Sequence, residues 1–138
     1  MKFFRNLTFF IGISLLTFGC LEVSASAEAA VPRIDEMTVT TKIVRGNPID
    51  SVHRISSASV KVLYCFTRVS VPDGEETSVK HVWYRDNQEI ANYTLPVKGL
   101  HWRTYSRKQI EKGWAGDWHV DALDSEGHLL KTVRFRMN

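Results

Sequence analysis

An all-β fold, two antiparallel sheets packed face to face, is what the sequence predicts, and three observations carry the expectation. From Met37 to Met137 short segments rich in β-branched and aromatic residues follow one another with alternating apolar and polar positions. Turn signals separate them: Gly46-Asn47-Pro48, Pro72-Asp73-Gly74, Asp86-Asn87 and Asp124-Ser125-Glu126-Gly127. The composition, 43% hydrophobic and 24% charged in 138 residues, belongs to an ordinary globular chain with room for one domain of roughly 100–150 residues.

Seven strands are expected in order. Met37–Ile43 is the first, β-branched and roughly alternating. Ser59–Ser70 is the second and ends at Pro72-Asp73-Gly74. Ser78–Arg85 is the third, with Val79 and Trp83 expected to face away from His81, and Asp86-Asn87 turns it into Glu89–Val97, where Pro96 marks an edge or a bend. Leu100–Tyr105 is the fifth, with Leu100, Trp102 and Thr104 on one face and His101, Arg103 and Tyr105 on the other. Ser106–Trp114 is expected to hold one helical turn, capped by Ser106 and stopped by Gly113. Asp117–Leu123 sets Trp118, Val120 and Ala122 against Asp117, His119 and Asp121, and in the last strand Val133, Phe135 and Met137 alternate with Arg134 and Arg136. Seven short strands at this spacing point to an immunoglobulin-like sandwich, with a partly open barrel as the alternative.

The leading residues read as an address. Lys2 and Arg5 precede the apolar run Leu7–Gly19, and Ala25-Ser26-Ala27 supplies a small-x-small cleavage site, so residues 1–27 are expected to be a signal peptide, 28–35 a linker and 36–138 the sandwich. The run is shorter than the ~20 residues of a spanning helix. Cys20, preceded by Gly19 but by the ill-fitting Thr17 and Phe18, leaves a lipid-anchored chain as the second possibility. Either way the chain is expected in the periplasm or cell envelope, touching membrane only through its signal or a lipid anchor. A formal charge of +3, which becomes +2 without residues 1–27, does not argue for nucleic acid. Cys65, left without a partner inside the apolar Val62–Phe66, reads as an inert core thiol.

Four segments carry a resemblance. Tyr64-Cys65-Phe66-Thr67-Arg68-Val69, His81-Val82-Trp83-Tyr84, Trp102-Arg103-Thr104-Tyr105-Ser106, and Gly116-Asp117-Trp118-His119-Val120 with Asp124 and Gly127 resemble, in this order, the motifs of the bacterial domain-of-unknown-function family twenty-nine fourteen. The resemblance spans about Met37 to Met137; it implies an envelope-associated domain and no activity. Where that pattern runs into Ser-Lys, this chain has Ser106-Arg107-Lys108.

Tested for chemistry, the residues offer little. Asp117, His119 and Asp121 lie on one strand face, but alternate residues diverge whereas metal ligands converge from several elements, so no metal or other cofactor is expected. His81 and His101, on neighbouring expected strands, are either a pH-sensitive pair or separately hydrogen-bonded, and their role, like that of His119, stays open. There is no Gly-x-Ser-x-Gly elbow and no Gly-rich phosphate loop, and the carboxylates fall in turns or on polar faces, so no enzyme is expected. Recognition is the better fit. Arg103, Tyr105 and Trp114, with Arg107 and Lys108, cluster around one strand end and suit a glycan ring or an anionic polymer. An exposed edge strand would suit a protein. The expected partner is therefore an envelope protein, or alternatively a carbohydrate or peptidoglycan strand.

Overall fold

The structure, a computed structural model, describes residues 31–138. The signal segment 1–27, Cys20 and residues 28–30 of the expected linker lie outside the described residues. Ten strands follow in order: β1 (Arg33–Thr40), β2 (Ile43–Val44), β3 (Asn47–Pro48), β4 (Arg54–Ile55), β5 (Val62–Ser70), β6 (Thr77–Arg85), β7 (Gln88–Val97), β8 (His101–Gln109), β9 (Gly116–Leu123) and β10 (Leu129–Met137). The seven long ones correspond to the seven expected, and three two-residue strands are added. β1 begins at Arg33, ahead of the expected boundary at 36.

A three-stranded sheet in the order β1-β5-β8 packs on a five-stranded sheet in the order β4-β10-β9-β6-β7. All long strands pair antiparallel; only β4 runs parallel to its neighbour β10. The β6–β7 connection is a two-residue hairpin, and Asp86 (φ 48°) and Asn87 (φ 62°) both take the left-handed conformation that a twisted hairpin favours and that short polar side chains tolerate.

Two expectations are corrected. No helical turn forms at Ser106–Trp114, because β8 runs on to Gln109 and Ser106 is an inward, buried strand residue and not a cap. Val79, His81 and Trp83 share the inward face of β6, since residues two apart on a strand point the same way.

The core is aromatic and aliphatic. Trp118 stacks on Phe135 at 5.6 Å, Trp83 meets Phe135 edge-on at 6.5 Å, and Leu63, Cys65, Val120 and Met137 are among the buried residues packed with them. Rings of this kind in a dry interior are worth about 3–5 kcal/mol each on truncation to alanine. In antibody domains the corresponding Trp packs on a disulfide between the two sheets. Here Cys65 is buried and free, and β9 offers Trp118, Val120 and Ala122 in place of a second cysteine.

The two lateral sides of the sandwich differ. On one, β1 lies over β10, and residues 47–57 run from the first edge to the second. Val52 N–H donates to Val39 O (2.7 Å), Arg136 N–H to His53 O (2.9 Å), Asn138 N–H to Ile55 O (2.9 Å) and Ser57 N–H to Asn138 O (2.8 Å). On the other, β7 lies beside β8 and both are terminal strands of their sheets.

Candidate functional site

Three places in the described chain bear on a functional reading. The first is inside. His81 has no exposed surface; its Nδ1 lies 2.8 Å from Ser106 Oγ and its Nε2 3.2 Å from Thr67 Oγ1, while Trp83 Nε1–H donates to Ser106 Oγ at 3.0 Å. His81 and Trp83 come from β6 and Thr67 and Ser106 from β5 and β8, so these bonds tie one sheet to the other through the core. Burial lowers the His81 pKa to about 4, which keeps the ring neutral near pH 7, able to accept at one nitrogen and donate at the other. A Ser–His contact of 2.8 Å resembles a catalytic dyad in distance alone. Both residues are sealed, no carboxylate orients the imidazole, and the hydroxyl already serves the Trp83 indole, so the group acts as a polar staple. Cys65 is equally sealed, and burial pushes its thiol pKa far up, away from the reactive thiolate.

The second place is the solvent face of the five-stranded sheet, where an open depression of about 580 Å³ lies among His53, Asp86, Asn87, Asp117, His119 and Arg134. Several groups in and beside it are engaged in cross-strand contacts. Asp117 accepts from Arg136 (2.9 Å), His119 stacks on Tyr84 with ring centroids 4.5 Å apart, and Asp121 accepts from Thr132 (2.6 Å). The His119 pKa is lowered by burial and by Arg134, against the opposing charge of Asp121. Among the described residues no three His, Cys, Asp or Glu side chains converge closely enough to hold a metal ion. Asp86 explains the glycine of the Gly116-Asp117-Trp118 motif. Its carboxylate accepts from Asp117 N–H (2.9 Å) and stands where a Cβ on Gly116 would meet it at 2.7 Å.

The third place is β8. Arg103 and Tyr105 lie together on its solvent face: Arg103 donates to Asn47 Oδ1 (2.8 Å), and Tyr105, 45% exposed, meets Tyr64 edge-on at 5.8 Å. Trp114 is not with them. It packs on the core beside Trp118, accepts the Trp118 indole N–H at its own carbonyl (3.0 Å), and is covered by the ammonium of Lys108, a residue on the opposite face of β8 from Arg103 and Tyr105. His101, also on the solvent face, touches Ser70 (3.3 Å) and is separated from His81, whose partners are Thr67 and Ser106. The two histidines form no pair.

The backbone of β8 completes the geometry. Leu100 O accepts from Val71 N–H (2.9 Å) and Ile110 N–H donates to Lys61 O (2.8 Å), continuing the β5–β8 ladder at each end. Hydrogen-bonded pairs alternate along an antiparallel ladder, so even-numbered residues of β8 bond to β5 and the N–H and C=O groups of His101, Arg103, Tyr105, Arg107 and Gln109 point away from it. No further strand receives them among the described residues; only Lys108 Nζ reaches Gln109 O (3.1 Å). Sequence reasoning missed both the staple and this outward row. The serine looked like a cap, and the row appears only once β8 is known to be terminal.

Comparison with known proteins agrees with this architecture. A family model described as "Protein of unknown function (DUF2914)" matches residues 76–137, which hold the His81, Trp102 and Gly116 motifs; the Tyr64–Val69 segment lies before the match. No curated protein matches the chain. Among solved structures, an immunoglobulin-like protein from Pseudomonas aeruginosa is similar with a TM-score of 0.55 and 12% identity, over 81% of this chain and 100% of that one. A Pseudomonas fluorescens alkylpurine DNA glycosylase bound to DNA is similar with a TM-score of 0.52 and 12% identity, over 79% of this chain and 31% of that one. At such identity the likeness is one of fold alone: the chain is an immunoglobulin-like β-sandwich.

Proposed function

We propose, with the match of residues 76–137 to the family model of unknown function DUF2914 in support, that this chain is a noncatalytic recognition domain of the cell envelope, exported behind residues 1–27 and met by a protein partner along the open lateral side of its sandwich. The observation that carries this reading is the contrast between the two sides. On one side the chain lays its own residues 47–57 against the strand ends, bonding Val39 O of β1 and adding β4 to β10, and on the other it lays no segment against the terminal strands β7 and β8 among the described residues. A terminal strand presents unpaired backbone donors and acceptors, which proteins use for strand pairing with a partner. The motif residues support a role without chemistry, since His81, Trp83, Ser106, Gly116 and Trp118 are all engaged in holding the fold. A glycan platform built on Tyr105 and Trp114 draws no support from their placement, one ring in solvent and the other under Lys108.

Site-specific photocrosslinking in intact cells tests the reading. A crosslinker at Tyr105 is expected to trap a protein partner, and one at Ser51, on the closed side, is not. Equal capture at both positions, or hydrolysis of a substrate panel abolished by Ser106→Ala in a folded protein, contradicts it. Export is checked by the mass of the N-terminus, expected to start at Glu28 or at an acylated Cys20; a chain retaining Met1 in the cytosol counts against it.

A further inference from the structure

We infer that the outer edge of β8 is a strand-addition site for an extended acidic segment of a partner protein, with acidic side chains placed opposite Arg103 and Arg107 and an apolar or aromatic one opposite Tyr105. This rests on the recognition role proposed above and names the chemistry of the partner.

Of the two strands on the open side, β8 is the better acceptor. β7 contains Pro96, which has no N–H to offer, a usual means of blunting an edge. In β8 the outward-pointing N–H and C=O groups belong to the residues whose side chains stand on the solvent face, because both alternate with period two. An added strand bonded to Arg103, Tyr105 and Arg107 therefore places its own alternate side chains directly beside theirs, about 5 Å away.

The charge on that face selects the occupant. β8 carries Arg103, Arg107 and Lys108 and no carboxylate. On β5, Arg68 is paired with Glu36 at 3.0 Å, whereas Arg107 forms no ion pair among the described residues. Tyr105 between the two arginines adds a rigid amphipathic ring, and Arg and Tyr are residue types on which interfaces concentrate their binding energy. The same charges disfavour a second copy of this chain: an antiparallel β8–β8 pair centred on Tyr105 would oppose Arg103 to Arg107 twice. Lys108, turned inward over Trp114, leaves the solvent face to the other two cations.

Binding of a synthetic peptide in which Glu alternates with Val and Tyr, compared with the same peptide carrying Lys for Glu, tests the inference on the exported chain. The Glu peptide is expected to bind saturably and slow amide exchange at Arg103, Tyr105 and Arg107. Arg103→Glu with Arg107→Glu is expected to weaken it roughly tenfold or more and to favour the Lys peptide instead. Arg107→Glu alone, which spares the Arg103–Asn47 bond, shows the same trend if the double variant unfolds. No binding, or equal binding by both peptides, overturns the inference, and so does concentration-dependent pairing through β8. Protection at Asn92 and Thr94 on β7 also overturns it, while leaving the recognition role standing; that role fails separately if Tyr105 and Ser51 crosslink alike.

Discussion

The two lateral sides of this sandwich begin with the same problem and solve it differently. Each side ends two sheets, and each terminal strand turns hydrogen-bonding groups away from its sheet. Beside the ends of β1 and β10 the chain supplies partners itself: residues 47–57 bond first to Val39 and then to Arg136 and Asn138. Beside β7 and β8 it supplies none among the described residues, where Pro96 on β7 and the Lys108 ammonium on Gln109 O moderate the edge. The contrast lies in who satisfies the backbone. An edge closed from within is architecture, and an edge left open is available to another chain.

Ser106→Ala alters only the inward side of β8 yet leaves the Trp83 N–H and His81 Nδ1 without their shared partner, at a cost of about 1–3 kcal/mol for each group in urea unfolding. A loss below about 0.5 kcal/mol would mean that the staple contributes nothing.

Acid should act on the same staple. The buried His81 ring has its pKa lowered from 6.5 to about 4, so as pH falls the unfolded chain takes up the proton first. Stability is fully present above pH 6.5 and is lost as pH drops toward 4, by roughly 3 kcal/mol for His81. His119, also lowered, adds in the same direction. Urea midpoints across that window, with the slope reduced in His81→Gln, check this.

A matched pair of prolines then compares the sides directly. Val52→Pro removes the donor to Val39 O on the closed side and is expected to cost about 1–3 kcal/mol for the orphaned carbonyl, besides the lost side-chain packing. Arg107→Pro removes a donor that points into solvent and is expected to stay within about 1 kcal/mol of wild type in the same assay. Equal losses would erase the difference between the sides.

Much of the fold was legible because alternation is a local property. The inward set Trp118, Val120 and Ala122 and the outward set Asp117, His119 and Asp121 follow from period two, and Asp86-Asn87 announces its hairpin through residues that tolerate positive φ. What sequence reasoning lost depended on distant partners. β4 is two residues long and exists only because β10 lies beside it, a pairing that no local pattern encodes. Ser106 sits before a Gly113 stop and has the chemistry of a cap, and only His81 and Trp83, more than twenty residues away, make it a core residue. Trp114 shares a sequence neighbourhood with Arg103 and Tyr105 but not a face, because the strand between them continues where a helical turn was expected.

Amide hydrogen exchange along β8 of the free protein reports whether its outer edge is open. The N–H groups of Trp102, Thr104, Ser106 and Lys108, bonded to β5, should exchange slowly, and those of His101, Arg103, Tyr105 and Arg107 should exchange close to the rate of an unstructured peptide. Slow exchange at all eight positions would show the β8 edge already occupied and would contradict the account.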